Sequence, residues 1–267
     1  MDALERNPTL ELIAKRRSVR SFLDRPVERA TVDTIVNAAM RSPTAGNLML
    51  YSIIEVTEQS TKDRLAVTCD NQPFIARAPL VLIFLADYQR LYDFYLASGV
   101  EALARKRKEK LRKPQAGDLF IAVCDALIAA QTSVLAAESL GLGSCYVGDI
   151  LENYEIHREL LGLPDYVFPI TLVCYGYPKE GHGAGRATPR FAPEYVHFTN
   201  TYRRFEKGEL LRMAEPLEER YFKGAGFEGE VQNIGQHYYT KKLASAFAKE
   251  MSRSVAAALR VWTAAED

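Results

Sequence analysis

In the stretch AKRRSVRSFLDRP, residues 14 to 26, Arg16, Arg17 and Arg20 fall within one helical turn of one another, with Ser18 among them. Three guanidinium groups at that spacing repel one another unless an anion lies between them. Each planar fork of donors suits bidentate binding of a phosphate. The chemistry on offer is the holding of a phosphate monoester, with the Ser18 hydroxyl as a further donor. The same residues also suit a plain helix end whose basic side chains complement the dipole and the last carbonyls. Alone, the cluster does not choose between the two readings. It is a local feature: Lys plus Arg and Asp plus Glu number 34 each in 267 residues. A net charge of zero offers no overall field to attract nucleic acid or an anionic membrane surface.

Two other stretches could complete a polar site. SPTAGNLMLYSII (42 to 54) sets hydroxyl, amide and backbone groups directly before a strand. GLGSCYVGDI (141 to 150) follows a helix-ending glycine with Gly143 and Gly148, and a glycine just after a short strand lets a flat ligand approach the backbone closely. Ordinary turn chemistry accounts for either stretch taken singly. No G-x-x-x-x-G-K-[ST] phosphate loop occurs.

The elements that must position these groups come in a mixed order. Residues 31 to 42 carry Val32, Ile35, Val36, Ala39 and Met40 at helical spacing and stop before Pro43. Strands are expected at 51–57, 78–87, 144–148 and 167–178, the second too apolar for an exposed sheet face. Residues 118 to 141 form a long helix that is apolar on more than one face and so needs burial on several sides or a second subunit. The order is neither regularly alternating nor segregated, which makes the class α+β. Residues 95 to 114 read as a charged helical excursion, solvated or lying over a site. From Pro178 to about 235 little periodicity is visible, and a terminal helix over 240–262 places Leu243, Phe247, Met251, Val255 and Leu259 on one stripe. Cys69, Cys124, Cys145 and Cys174 sit in apolar surroundings and read as buried thiols of a cytoplasmic protein. Neither a signal peptide nor a run of about 18 apolar residues is visible, so no membrane association is expected.

In this order and spacing, RRSVRSF, SPTAGNLMLYSIIEV, CDNQPFIARAPLVLIFLADYQR, SLGLGSCYVGDI and LLGLPDYVFPITLVCYGYP resemble the flavin-dependent nitroreductase family, and most of all its NADPH–flavin oxidoreductase and oxygen-insensitive nitroreductase branch. The resemblance covers roughly residues 10 to 190. It implies a mixed, mainly antiparallel sheet flanked by helices, in an intertwined homodimer with FMN at the subunit interface. Carried over by position, it implies that Arg16, Arg17 and Ser18 hold the FMN phosphate. Arg20 would reach the pyrimidine edge of the flavin and tune it, Thr44 and Asn47 would supply polar contacts, and Gln72 would turn an amide to the flavin edge. Tyr146 with Val147, Gly148 and Asp149 would line one side of the ring, and Arg190 would be a second phosphate arginine. The implied division is an FMN-binding domain over 1–195 and a C-terminal extension over 196–267.

Three positions depart from the family pattern. A lysine expected two residues before Arg190 is Thr188, with Arg186 nearby as a substitute; a loop glutamine is Met49; and a second small residue after Gly148 is Asp149. The resemblance implies ping-pong hydride transfer from NAD(P)H to a nitroaromatic, a quinone or a flavin. Because the chemistry is flavin-centred, no catalytic side chain, metal or acid–base dyad is expected. His157, His182, His197 and His237 read as packing or surface residues. The alternatives are another flavin chemistry on the same fold, such as reductive dehalogenation, or a non-enzymatic flavin-binding sensor or interaction protein.

Overall fold

The computed structural model describes residues 7–181, 188–222, 227 and 229–263. The chain forms two compact units whose boundaries fall at 185/186 and 249/250, so the first unit is completed by the C-terminal residues.

In the first unit α1 (Pro8–Lys15) starts at Asn7, whose side chain accepts the Thr9 and Leu10 N–H groups. The chain then turns extended at Arg16, so the arginine cluster runs on from the end of α1 instead of continuing the helix. Next come α2 (Arg29–Ala39), β1 (Tyr51–Glu55), α3 (Gln59–Thr68), the short α4 (Phe74–Arg77) and β2 (Leu80–Asp87). The charged excursion of 95–114 is two helices rather than one, α5 (Gln89–Ala97) and α6 (Val100–Arg107), separated at Gly99, whose φ of 80° ends the first. They are followed by α7 (Ala116–Ser139), β3 (Gly143–Val147), α8 (Tyr154–Leu161) and β4 (Val167–Gly176).

The four strands lie in the order β1-β2-β4-β3, every neighbouring pair antiparallel. Among the described residues, the parallel part of the expected mixed sheet is one isolated bridge between Ser18 and Ser144. Strand β2 is buried throughout, and its side chains alternate between two cores. Leu80, Leu82, Phe84 and Ala86 face α2 and α7, while Val81, Ile83 and Leu85 join Leu65, Cys69, Phe74 and Ile75 beneath α3 and α4.

Helix α7 opens with a capping box between Gln115 and Asp118. By length and composition it could cross a membrane, with mean hydropathy 1.9 over its most apolar stretch. Its inward face of Leu119, Ala122, Ala126, Ala129, Ala130, Val134 and Ala137 instead packs in the larger core. The small side chains let the helix lie close to the sheet, and the Ser133 hydroxyl meets the Tyr175 hydroxyl at 2.6 Å. Its opposite face leaves Phe120, Ile121, Leu127 and Ile128 exposed. Cys124 is exposed as well, unlike the other three thiols, which corrects the expectation that all four are buried.

The stretch expected to be irregular contains α9 (Lys207–Phe222), concealed in the sequence by Pro216 in its interior. The short α10 (Ile234–Tyr238) is capped by Asn233 and continues into one π-helical turn over Tyr239–Leu243. The second unit is held by Leu217 and Ile234, by a ring contact of Phe222 with His237, and by a cluster of Tyr195, Phe198, Tyr202 and Phe205.

Helix α11 (Ala246–Thr263) starts later than the expected 240, and its buried stripe is Ser254, Ala258 and Trp262. The expected stripe of Phe247, Met251, Val255 and Leu259 is only half-buried, and Leu243 is exposed. Trp262 fills the larger core edge-on to Tyr166, and Ser254 accepts the Tyr154 N–H at 2.8 Å.

Candidate functional site

The arginine cluster is positioned by β3. The Val19 N–H donates to Ser144 O at 2.8 Å, laying residues 18 and 19 alongside the strand. This approach requires Gly143, because a Cβ there would stand 2.6 Å from the Val19 side chain. In extended chain alternate residues face the same way, so Arg16, Ser18 and Arg20 share one side while Val19 is buried on the other. The shared environment is visible at Cys145. Burial raises its thiol pKa, and Arg20, Arg16 and the Ser18 hydroxyl counter the rise. The Arg20 guanidinium lies 5.9 Å from the centre of the Phe74 ring. Arg17 turns Nη1 to the Lys15 carbonyl at 3.1 Å.

At the end of β3, Tyr146 and Val147 lead into a 3₁₀ turn over Gly148–Leu151. Gly148 is exposed, and no atom lies within 4 Å of the point a Cβ would occupy, so open space adjoins the backbone there. The Tyr146 hydroxyl donates to Gln131 Oε1 on α7 at 3.2 Å. Burial raises the Tyr146 pKa against the opposing effect of Arg16. The Gln72 amide donates to Asp149 Oδ2 at 2.8 Å and to Cys69 O at 3.0 Å. Arg16, Ser18 and Arg20 thus run along β3, and Gln72, Tyr146, Val147, Gly148 and Asp149 lie at its end and on the turn that follows.

Thr44 and Asn47 are held on a different element. Their loop folds over Asp125, a buried acid halfway along α7, whose carboxylate accepts the Thr44 hydroxyl, the Ala45 N–H at 3.0 Å and the Leu50 N–H at 3.1 Å. The Thr44 hydroxyl also accepts the Met49 N–H at 2.8 Å, so its hydrogen bonds tie the loop to itself and to α7. Asn47 is exposed, with φ of 59°. Arg190 belongs to the second unit and donates to the carbonyls of Thr188 and Pro189. Arg186 and His182 lie outside the described residues.

Sequence reasoning missed three residues of this region. Asp125 organises the 44–50 loop, and its only signal is a lone acid in an apolar helix. Glu138 accepts the Ser144 hydroxyl at 2.8 Å beside Arg16, and burial raises its pKa. Glu152, buried just past the turn, gives no sequence signal at all. Of the histidines, His157 is a packing residue as expected: its ring joins Ile150 O and the Thr68 hydroxyl, and burial lowers its pKa.

Among curated proteins, the chain is 33% identical over 198 residues to an FMN reductase (NADPH) of Bacillus subtilis, covering 73% of this chain and 75% of that one. It is also 33% identical over 215 residues to an oxygen-insensitive NADPH nitroreductase of Salmonella typhimurium, covering 80% and 83%. Among solved structures, the NADPH:FMN oxidoreductase of Vibrio harveyi complexed with NAD+ superposes with a TM-score of 0.75 at 25% identity, covering 95% of this chain and 98% of that one. The family model described as the nitroreductase family matches residues 13–177, which include the cationic segment, the Asp125 loop and the whole four-stranded sheet, and the chain belongs to that family.

Proposed function

We propose that the protein is an FMN-dependent NAD(P)H oxidoreductase acting on small acceptors such as nitroaromatics, quinones or flavins. The observation that carries this reading is the pairing of Ser18 with Ser144, which lays a cationic segment along the strand that leads to the open space over Gly148. The residues fit the cofactor: guanidinium groups and a hydroxyl for a phosphate, exposed backbone for a flat ring, and a carboxamide for its polar edge. FMN, when bound, supplies the hydride chemistry. The chain's part is to hold and orient. Arg16, Arg17 and Ser18 bind the phosphate, Arg20 offers positive charge where negative charge develops at the pyrimidine edge, and Gly148 keeps one face accessible. NAD(P)H and acceptor would use that face in turn.

The reading includes a homodimer. The outward face of α7 exposes a continuous apolar stripe, with Phe120 66% exposed and Ile121, Leu127 and Ile128 beside it. A soluble monomer has no use for such a patch, and a second copy would cover it. Light scattering should give about twice the 30.0 kDa chain mass for the wild type and a monomer for Phe120→Asp. A monomeric wild type would remove the dimer from the reading. The free, mostly buried thiols suit a cytoplasmic location.

The function is tested by an anaerobic visible absorption spectrum of the purified protein before and after NADPH. A bound flavin band that bleaches is expected. A band that persists would favour a sensor or another electron donor, and a colourless protein that FMN cannot reconstitute would overturn the proposal.

A further inference from the structure

We propose that Glu152 and Asp149 share one buried proton and through it hold the Gln72 carboxamide with its oxygen turned toward the flavin, which makes Glu152 a positioning residue of the site. The part concerning the flavin rests on the function proposed above.

Glu152 follows the turn that ends β3, and its N–H donates back to Asp149 O at 3.0 Å, which closes the turn that carries the two acids. Its side chain is 5% exposed, and Oε1 has no donor facing it among the described residues. The charged groups around it are chiefly acids: Asp149 on its own turn, Asp70 after α3, and Glu250 on α11. Glu250 is engaged elsewhere, by Arg253 at 2.8 Å and by the Asn153 N–H at 3.2 Å. The other titratable neighbours do not offset this crowding. Burial, aided by Arg64, lowers the His157 ring pKa, and burial raises the Cys69 thiol.

A carboxyl with one buried oxygen that meets no donor, set among acids, holds its proton to a higher pH than an ordinary one does. Burial first, then Asp149 and Asp70, push Glu152 up to about 7. The protonated group needs an acceptor, and the side chain within hydrogen-bonding reach is Asp149. The other side of Asp149 takes one Gln72 amide hydrogen at 2.8 Å, and Cys69 O takes the second at 3.0 Å. Both partners only accept, so the nitrogen of the carboxamide is fixed and its oxygen is the atom left for a ligand. That oxygen suits an imide N–H such as the one on the pyrimidine edge of a flavin. Asp149 stands where the family resemblance implies a small residue, so this arrangement is a departure of this chain. Once the pH exceeds about 7, loss of the proton leaves two carboxylates in buried contact beside Asp70 and Glu250. Their separation releases the Gln72 amide.

The test follows the side-chain amide resonances of Gln72, identified by their loss in Gln72→Leu, in flavin-free wild type and Glu152→Gln from about pH 5.5 to about 8.5. An inflection near 7 in the wild type that vanishes in Glu152→Gln is expected. Its absence, or its persistence in the variant, overturns the shared proton. FMN dissociation constants of both proteins are measured over the same range, where the phosphate's own titration affects the two alike. The wild type should weaken about tenfold relative to Glu152→Gln as pH rises. Resonances that titrate with a flat ratio of dissociation constants overturn the positioning role. FMN binding by neither protein overturns the flavin reading and the positioning role with it, while the resonances still decide the shared proton.

Discussion

Asp125→Ala is expected to lower the unfolding free energy by about 3–5 kcal/mol, because it strands the Leu50 N–H in the core and leaves the Ala45 N–H and the Thr44 hydroxyl half-buried without their acceptor. For a domain of this size the corresponding fall in Tm is about 10 °C. Asp125→Asn should cost less, since one oxygen remains to accept while the amide nitrogen turns a donor toward a donor. Urea unfolding followed by circular dichroism measures both. A loss below about 1 kcal/mol for the alanine variant would mean that water replaces the carboxylate and that the loop does not depend on it. Because the same loop carries Asn47, the alanine variant should also bind FMN less tightly even where it remains folded.

The second large effect separates two arginines. Arg17→Ala is expected to weaken FMN binding about 100-fold, the size of one or two charge-assisted hydrogen bonds to a phosphate. Arg20→Ala should retain most of the affinity and slow anaerobic flavin reduction by NADPH about tenfold or more, as expected for a cation placed over Phe74 and assigned to the pyrimidine edge rather than to the phosphate. Fluorescence titration gives the first quantity and stopped-flow absorbance the second. Equal, small effects of both substitutions on both quantities would contradict the division of roles.

Much of this was legible in the sequence because the signals are local. The apolar run of β2 and the long periodicity of α7 place both elements within a few residues of their observed ends. The cationic segment, Gln72 and the turn after β3 are each visible as types and spacings. What was not legible depends on partners far along the chain. The spacing of the arginines left a phosphate site and a plain helix end both open, and the pairing of Ser18 with Ser144 that lays the segment along β3 has no local signal. The α11 stripe was misplaced because Ser254 and Ala258 are small, and they are buried by close approach rather than by hydrophobicity. Helix α9 was hidden by Pro216, which the flanking turns tolerate. The exposure of Cys124 followed from the two-sided apolar character of α7, which composition alone assigned to burial. Glu152 could not be singled out, since a buried acid and a surface acid look alike until their neighbours are known.

The strand order also bears on how the chain reaches this state during synthesis. Helix α7 docks on α2, β1 and β2, which leave the ribosome before it, and on β3 and β4, which leave after it, so only part of its inward face can be covered as soon as it is made. The centre of the sheet differs, because β2 pairs through Leu80 with Tyr175 of β4. Until that last strand emerges, the apolar run of β2 from Leu80 to Ala86 has an open edge, a ready template for pairing with another chain. The nascent protein therefore passes through a stage in which its most hydrophobic strand is half-paired, and release from that stage comes only when β4 closes the sheet.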